Sequence, residues 1–232
     1  MSSYLFETPE IQSIPVQGED AKYPINRIFC VGRNYAAHAA EMGVEVDREA
    51  PFYFTKSPSA NLASGETLPY PPGTDNFHYE MELVLVIGKP VFRVPVEEAS
   101  KAIYAYGCGL DMTRRDLQLV ARSKQRPWDL GKDVEGSAVF APLTKAAEMG
   151  ELDDQRIHLE VNGELKQEAQ LKDLIHNVQE IVADLSKYYH LVPGDVIMTG
   201  TPAGVGPVVA GDVITGGVDG LQPISLTIGD PE

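Results

Sequence analysis

The stretch "NFHYEMELVLVIGKP", residues 76–90, constrains the fold more than any other part of the chain. Past Glu82 both alternating sets of side chains are apolar: Val84 and Val86 on one face, Met81, Leu83, Leu85 and Ile87 on the other. Side chains alternate across a strand, so a strand apolar on both faces must be covered on both sides. Yet this strand opens with Glu80 and Glu82, which share one face roughly 6–7 Å apart at Cα by strand rise. Like charges that close resist burial unless something positive compensates them. Either the pair is a solvated strand edge, or a cation lies between them.

The rest of the chain supplies the cover. At 232 residues it is long enough to bury a sizeable core without disulfides. No stretch reads as a linker, so residues 21–232 are expected to form a single catalytic domain, with 1–20 as an arm or edge strand. The formal charge of −15 repels phosphate backbones and argues against nucleic acid and anionic membranes as partners. Cys30 and Cys108 lack metal-ligand spacing and suggest reduced thiols. No secretory signal or membrane-length apolar run is visible. The expectation is a soluble cytoplasmic protein.

Local patterns give a β-rich α+β fold. "INRIFCVGRNYAAHAAEMG" (25–43) passes from a β-like run to a helical pattern at Asn34. "APFYFTKSPSANLASGETLPYPPG" (50–73) reads as a strand and then a long loop. "VEEASKAIYAYGCGLDMT" (96–113) is a short helix feeding a strand that ends near Asp111. "TRRDLQLVARSKQ" (113–125) reads as a helix, with Thr113 as N-cap and Asp116 at N3. Asn162-Gly163 marks a two-residue hairpin. Ile175, Val178, Ile181, Val182 and Leu185 form one helical stripe. "PGDVIMTG" (193–200) and "AGDVITGG" (210–217) read as paired turns in a meander. No phosphate-cradling or dinucleotide fingerprint is present.

Three groups could carry chemistry. Glu80, Glu82 and Asp111 are acids at the polar ends of apolar strands, and such oxygen donors suit a hard divalent cation. His38 and Glu41 stand three apart on a helix, where a carboxylate can orient an imidazole as a general base; an ordinary surface helix has the same spacing. Arg114, Arg115, Arg122, Lys124, Arg126 and Lys132 fall within nineteen residues and could gather an anionic substrate. Arg115 and Gln118 are expected to face whatever Asp111 binds. Arg122, Lys124 and Arg126 read as a solvated helix face, and Trp128 as packing. Lys132 follows a Pro/Gly-rich loop, and beside a metal its pKa could fall enough for proton transfer.

Together "VGRNYAAHAAEMG", "YEMELVLVIGKP", "GCGLDMTRRDLQ", "RPWDLGKDVEGSAVFAP", "LEVNGELKQEA" and "VPGDVIMTGTPAGVGPV" resemble the fumarylacetoacetate hydrolase family, in its order and over about residues 25–228. Within it the chain looks most like the fumarylpyruvate hydrolases and acylpyruvases. The resemblance implies a mixed β-sandwich roll, a homodimer, and Mg²⁺ or Mn²⁺ held by Glu80, Glu82 and Asp111. It implies a water-activating dyad of His38 and Glu41, a catalytic Lys132, and substrate contacts from Arg115, Gln118 and Thr201. It also implies a part in breaking down aromatic compounds. One departure is "FTKSPSA", where Ser57 separates Lys56 from a proline that relatives place directly after the lysine.

The expected activity is metal-dependent hydrolysis of the C–C bond of a 3-acylpyruvate, most simply fumarylpyruvate to fumarate and pyruvate. Its substrate is a small anionic keto acid that would chelate the metal. Rivals are oxaloacetate decarboxylation, isomerisation or decarboxylation of a dienoate at the same metal, and a non-catalytic metal- or metabolite-binding role. Arg33 and Arg122 are the two candidates for a carboxylate at the far end of the substrate.

Overall fold

A computed structural model describes residues 4–41, 43 and 48–231. Strand Met81–Ile87 is buried along its whole length and lies inside an eight-stranded sheet, between Asp195–Met198 and Ile103–Asp111. Its two faces enter different cores, as the double apolar pattern requires. Met81, Leu83, Leu85 and Ile87 join a large cluster with Ile157, Leu159, Ile214, Leu226 and Ile228. Those partners come from a five-stranded sheet, in which Arg156–Val161, Val213–Val218 and Ile224–Pro231 are neighbours. Val84 and Val86 face a smaller cluster with Ile14, Tyr23, Ile28, Cys30, Phe140 and Met198. Burying each large apolar side chain contributes roughly 1.5–3 kcal/mol, so this strand is the pin on which the fold turns.

The result is the β-rich α+β architecture expected, two large sheets sharing a core with few and short helices. Strands Arg156–Val161 and Glu164–Gln170 pair antiparallel across Asn162-Gly163, both at positive φ, the conformation such a turn demands. Helix Val178–Leu185 carries the apolar stripe, but it starts after Ile175 because Asn177 and Glu180 form a capping box there.

Three local expectations are corrected. The segment after Lys56 is not all loop: Asn61–Ala63 pairs parallel with Ala138–Phe140, and Thr67–Tyr70 with Ile224–Pro231. Thr113 is no helix cap. It lies in the short strand Thr113–Arg114, the helix begins at Arg115 with no side-chain cap, and Asp116 instead binds Thr74 and the Asp75 amide. The two "GDVI" segments do not form a meander, since Asp195–Met198 joins the eight-stranded sheet and Val213–Val218 the five-stranded one. Similar turns launch both strands, but different cores claim them.

Near the N-terminus, Ser13–Pro15 pairs with Lys22–Pro24, and Ile14 and Val16 pack into the smaller core.

Candidate active site

The acids of the opening strand meet at one end of the eight-stranded sheet. Met81 pairs with Leu110 and Glu82 with Gly109, and the Asp111 amide donates to the Glu80 carbonyl at 2.9 Å. This register sets Asp111 beside Glu80 across the strand pair. Ligand atoms of Glu80, Glu82 and Asp111 lie within 4.8 Å of one another, and all three residues are buried. The solvated-edge reading therefore fails.

Three cations surround them. Lys132 Nζ donates to Glu80 Oε2 at 2.8 Å, Asp111 Oδ2 at 2.6 Å and Thr113 Oγ1 at 2.8 Å. Arg115 donates one guanidinium nitrogen to Glu80 Oε1 and another to Gln118. Lys56 Nζ stands 2.9 Å from Asp111 Oδ1, a Coulombic contact, while its hydrogen bonds go to Ser137 Oγ at 2.8 Å and to the Lys132 and Met112 carbonyls. Lys132 owes its position to Gly131, where a Cβ would stand 2.8 Å from the Gln118 amide nitrogen. The two helices flanking residues 124–128 approach too closely for any side chain.

The two glutamates are treated differently. Burial pushes the Glu80 carboxyl up, but Lys132 and Arg115 outweigh it and hold the group below the usual range. Glu82 accepts a hydrogen bond from the Gly200 amide at 2.8 Å; burial, then Asp111 and Glu80, push its carboxyl well above the usual range. Burial therefore disfavours the charged form of Glu82, and an added cation beside it would favour that form. Three carboxylates offering hard oxygen donors fit Mg²⁺ or Mn²⁺. Burial would lower the Lys132 pKa, but Asp111 and Glu80 raise it; the expected fall is one that a bound metal would cause.

The other sequence candidates line the same pocket. His38 is buried on the helix Ala36–Glu41, with Nδ1 3.1 Å from Glu41 Oε2. The Gly204 amide donates to Glu41 at 3.1 Å, so the "TPAG" segment fixes the dyad's carboxylate. Thr201 Oγ1 accepts from Gln167 Nε2 at 2.8 Å, and Gln167 Oε1 accepts the Met81 amide at 3.0 Å. His38, Glu80, Glu82, Asp111, Arg115, Gln118, Lys132 and Thr201 all border one cavity. Arg115 and Gln118 face the cavity that Asp111 borders, Arg115 bonding Glu80 and Gln118 bonding Arg115. Arg122 is no solvated residue either: it is half-buried and borders the cavity with Arg33 and Trp128.

Lys56, Gln167 and Asn34 escaped the sequence reading. Asn34 Nδ2 donates to the Thr199 and His176 carbonyls at 2.8 and 2.9 Å, tying the Arg33–Asn34 turn to the strand end that carries Thr201. A lysine closing the strand "FYFTK" was the one available signal for Lys56. Ser57, the departure noted in the sequence, is tied down locally: its amide and hydroxyl both bind Asp133, at 2.9 and 2.5 Å. That clamps the Lys56 segment to the residue after Lys132.

Comparisons with known proteins agree with this geometry. A fumarylpyruvate hydrolase from a Ralstonia species is 58% identical over 194 residues, spanning 82% of this chain and 100% of the relative. An oxaloacetate tautomerase from Arabidopsis thaliana is 40% identical over 87% of this chain and 90% of its own length. The crystal structure of fumarylpyruvate hydrolase from Pseudomonas aeruginosa, in complex with Mn²⁺ and pyruvate, superposes with a TM-score of 0.95 at 43% identity, covering 98% of this chain and 100% of that one. Residues 27–228 match the fumarylacetoacetate (FAA) hydrolase C-terminal family, and the chain belongs to that family.

Proposed function

We propose that this protein is a metal-dependent hydrolase that cleaves fumarylpyruvate to fumarate and pyruvate. The observation that carries the reading is the buried carboxylate triad in one cavity with His38, whose Nδ1 is partnered by Glu41. A relative named for this activity, 58% identical over its full length, supports the choice of substrate.

Glu80, Glu82 and Asp111 hold the divalent cation, which supplies Lewis-acid stabilisation to the enolate leaving group. Arg115, Gln118 and Thr201 hold the pyruvate end. His38, oriented by Glu41, takes a proton from the water that attacks the distal carbonyl. The C–C bond then breaks with its electron pair going to pyruvate's methylene carbon as an enolate. Lys132, held between Glu80 and Asp111, donates a proton at that carbon. The hydroxyl from water remains on the acyl fragment, which leaves as the second carboxylate of fumarate.

A second reading, proton shuttling on oxaloacetate, is favoured by the tautomerase relative at 40% identity. It also passes through an enolate but requires no attacking water. Assaying the Mg²⁺-loaded protein against fumarylpyruvate, acetylpyruvate and oxaloacetate separates the two. Fumarylpyruvate is expected to give the highest kcat/KM; turnover of oxaloacetate alone would overturn the hydrolase.

The same reading assigns residues 21–232 to one catalytic domain, preceded by an arm. It takes the protein to be a cytoplasmic homodimer that serves the breakdown of aromatic compounds. Among the described residues no helix is long and apolar enough to cross a membrane. Tyr4, Leu5, Phe6 and Ile11 are exposed apolar side chains near the N-terminus, which supports an arm that covers itself against a second copy.

A further inference from the structure

We propose that the groove leading out of the triad cavity is a binding site for a second carboxylate on the substrate's acyl arm, with Arg33 as the residue that determines specificity. This rests on the acylpyruvate reading above. The groove encloses about 480 Å³ and shares Arg33, Phe54, Arg122, Trp128 and Lys132 with the cavity that holds the acids, so the two are continuous. Arg126 and Asp129 complete its charged lining. In a chain of charge −15, the described lining of this groove is locally basic, with Arg33, Arg126 and Lys132 beside Asp129.

Arg33 is built into this wall. It adopts φ 59°, a left-handed conformation that is uncommon for a non-glycine residue and concentrates at functional sites. Its guanidinium lies over the Phe52 ring at 5.6 Å and the Trp128 ring at 5.8 Å from the centroids. Phe52 presses so closely that a Cβ at Gly32 would meet its ring at 2.6 Å, so turn and ring are fitted to each other. Burial, then the nearby Arg122, lower the Arg33 pKa, so an anion beside the Arg33 guanidinium would favour its charged form. The flanking Phe52, Phe54 and Trp128 faces suit a flat, conjugated chain. The ligand class is therefore an acyl group that is planar, unsaturated and carboxylate-terminated. An acetyl arm carries no anion for Arg33.

The test compares wild type with Arg33→Asn, because asparagine tolerates the left-handed backbone. The ratio of kcat/KM for fumarylpyruvate over acetylpyruvate is expected to fall about 10- to 100-fold, the scale of one charge-assisted hydrogen bond. Arg33→Lys should recover part of the ratio through charge alone. Calorimetric binding of fumarate, with Mg²⁺ and pyruvate filling the triad end, needs no turnover and should weaken by a similar factor in Arg33→Asn. A ratio unchanged within about twofold, or equal fumarate affinity in both proteins, would overturn the subsite. If wild type cleaved neither acylpyruvate, the hydrolase reading would fall, while the fumarate comparison would still decide the groove.

Discussion

The floor and the mouth of the pocket are built on opposite plans. Glu80, Glu82 and Asp111 come from the ends of paired strands, are buried, and are fixed by the backbone register of the central sheet. At the mouth, His38 and Glu41 ride a six-residue helix, Glu41 and Phe52 are exposed, and Arg33, Arg122 and Trp128 are half-buried. The floor's side chains are held by a network of buried ion pairs, whereas the mouth's are held by contacts nearer the surface, such as Gly204 to Glu41 and Arg33 over Phe52 and Trp128. Chemistry common to many 3-acylpyruvates can be fixed in the floor, and choice among acyl arms can be varied at the mouth without disturbing the sheet.

If the comparison holds, the largest loss belongs to the floor. Glu82→Ala should reduce fumarylpyruvate cleavage by about 10³-fold or more, as expected when a cation's ligand and its Lewis-acid function go together. Circular dichroism should remain that of wild type, since the side chain sits at a strand end. Residual activity within tenfold of wild type would break the floor's assigned role.

His38→Ala removes the mouth's base and should cost about 10²–10⁴-fold in acylpyruvate cleavage. Any oxaloacetate turnover should fall far less, because it activates no water. Equal depression of both reactions, with Mg²⁺ affinity unchanged, would make His38 a positioning residue instead.

Lys56→Met tests whether the floor depends on its supports. Outer partners of metal ligands typically contribute 10- to 100-fold in affinity or activity, and the effect here should appear as a higher Mg²⁺ requirement, with KM for fumarylpyruvate at saturating Mg²⁺ little changed. A rise in that KM at unchanged Mg²⁺ requirement would place Lys56 with the substrate.

The smallest effect lies outside both regions. Asn177→Ala deletes the capping box of helix Val178–Leu185 and should cost about 1 kcal/mol, or about 2–4 °C in Tm for a chain of this size. The ratio of fumarylpyruvate to oxaloacetate turnover at 25 °C should not move. A changed ratio would mean that this helix communicates with the mouth.

What the sequence revealed follows the same division. The floor was legible because strand alternation is local: two acids at the head of a doubly apolar run cannot be reconciled with burial except through a cation. The dyad was legible from three-residue spacing, and the hairpin from Asn162-Gly163. Lys56 was not, because its partner Asp111 lies 55 residues further along the chain, and the sheet brings the two regions together through Ala138–Phe140, which pairs with both Asn61–Ala63 and the 103–111 strand. Thr113 failed as a cap for a related reason. Its hydroxyl is claimed by Lys132 and the Asp111 carbonyl, tertiary partners that outcompete a helix end. Arg122 misled because helical periodicity says which side chains share a face, but not which face meets a pocket.

The central claim is that the floor binds a divalent cation and that Glu82, the acid without a lysine or arginine hydrogen-bonded to it among the described residues, is one of its ligands. Calorimetric titration of Mn²⁺ into chelator-stripped protein tests it most directly, comparing wild type with Glu82→Gln, which keeps the shape and removes the charge. The account predicts one site per chain in wild type and an affinity at least about 100-fold weaker in the variant, on the scale of losing a ligand's charge. Equal Mn²⁺ affinity in the two proteins, or no saturable site in wild type, would contradict it.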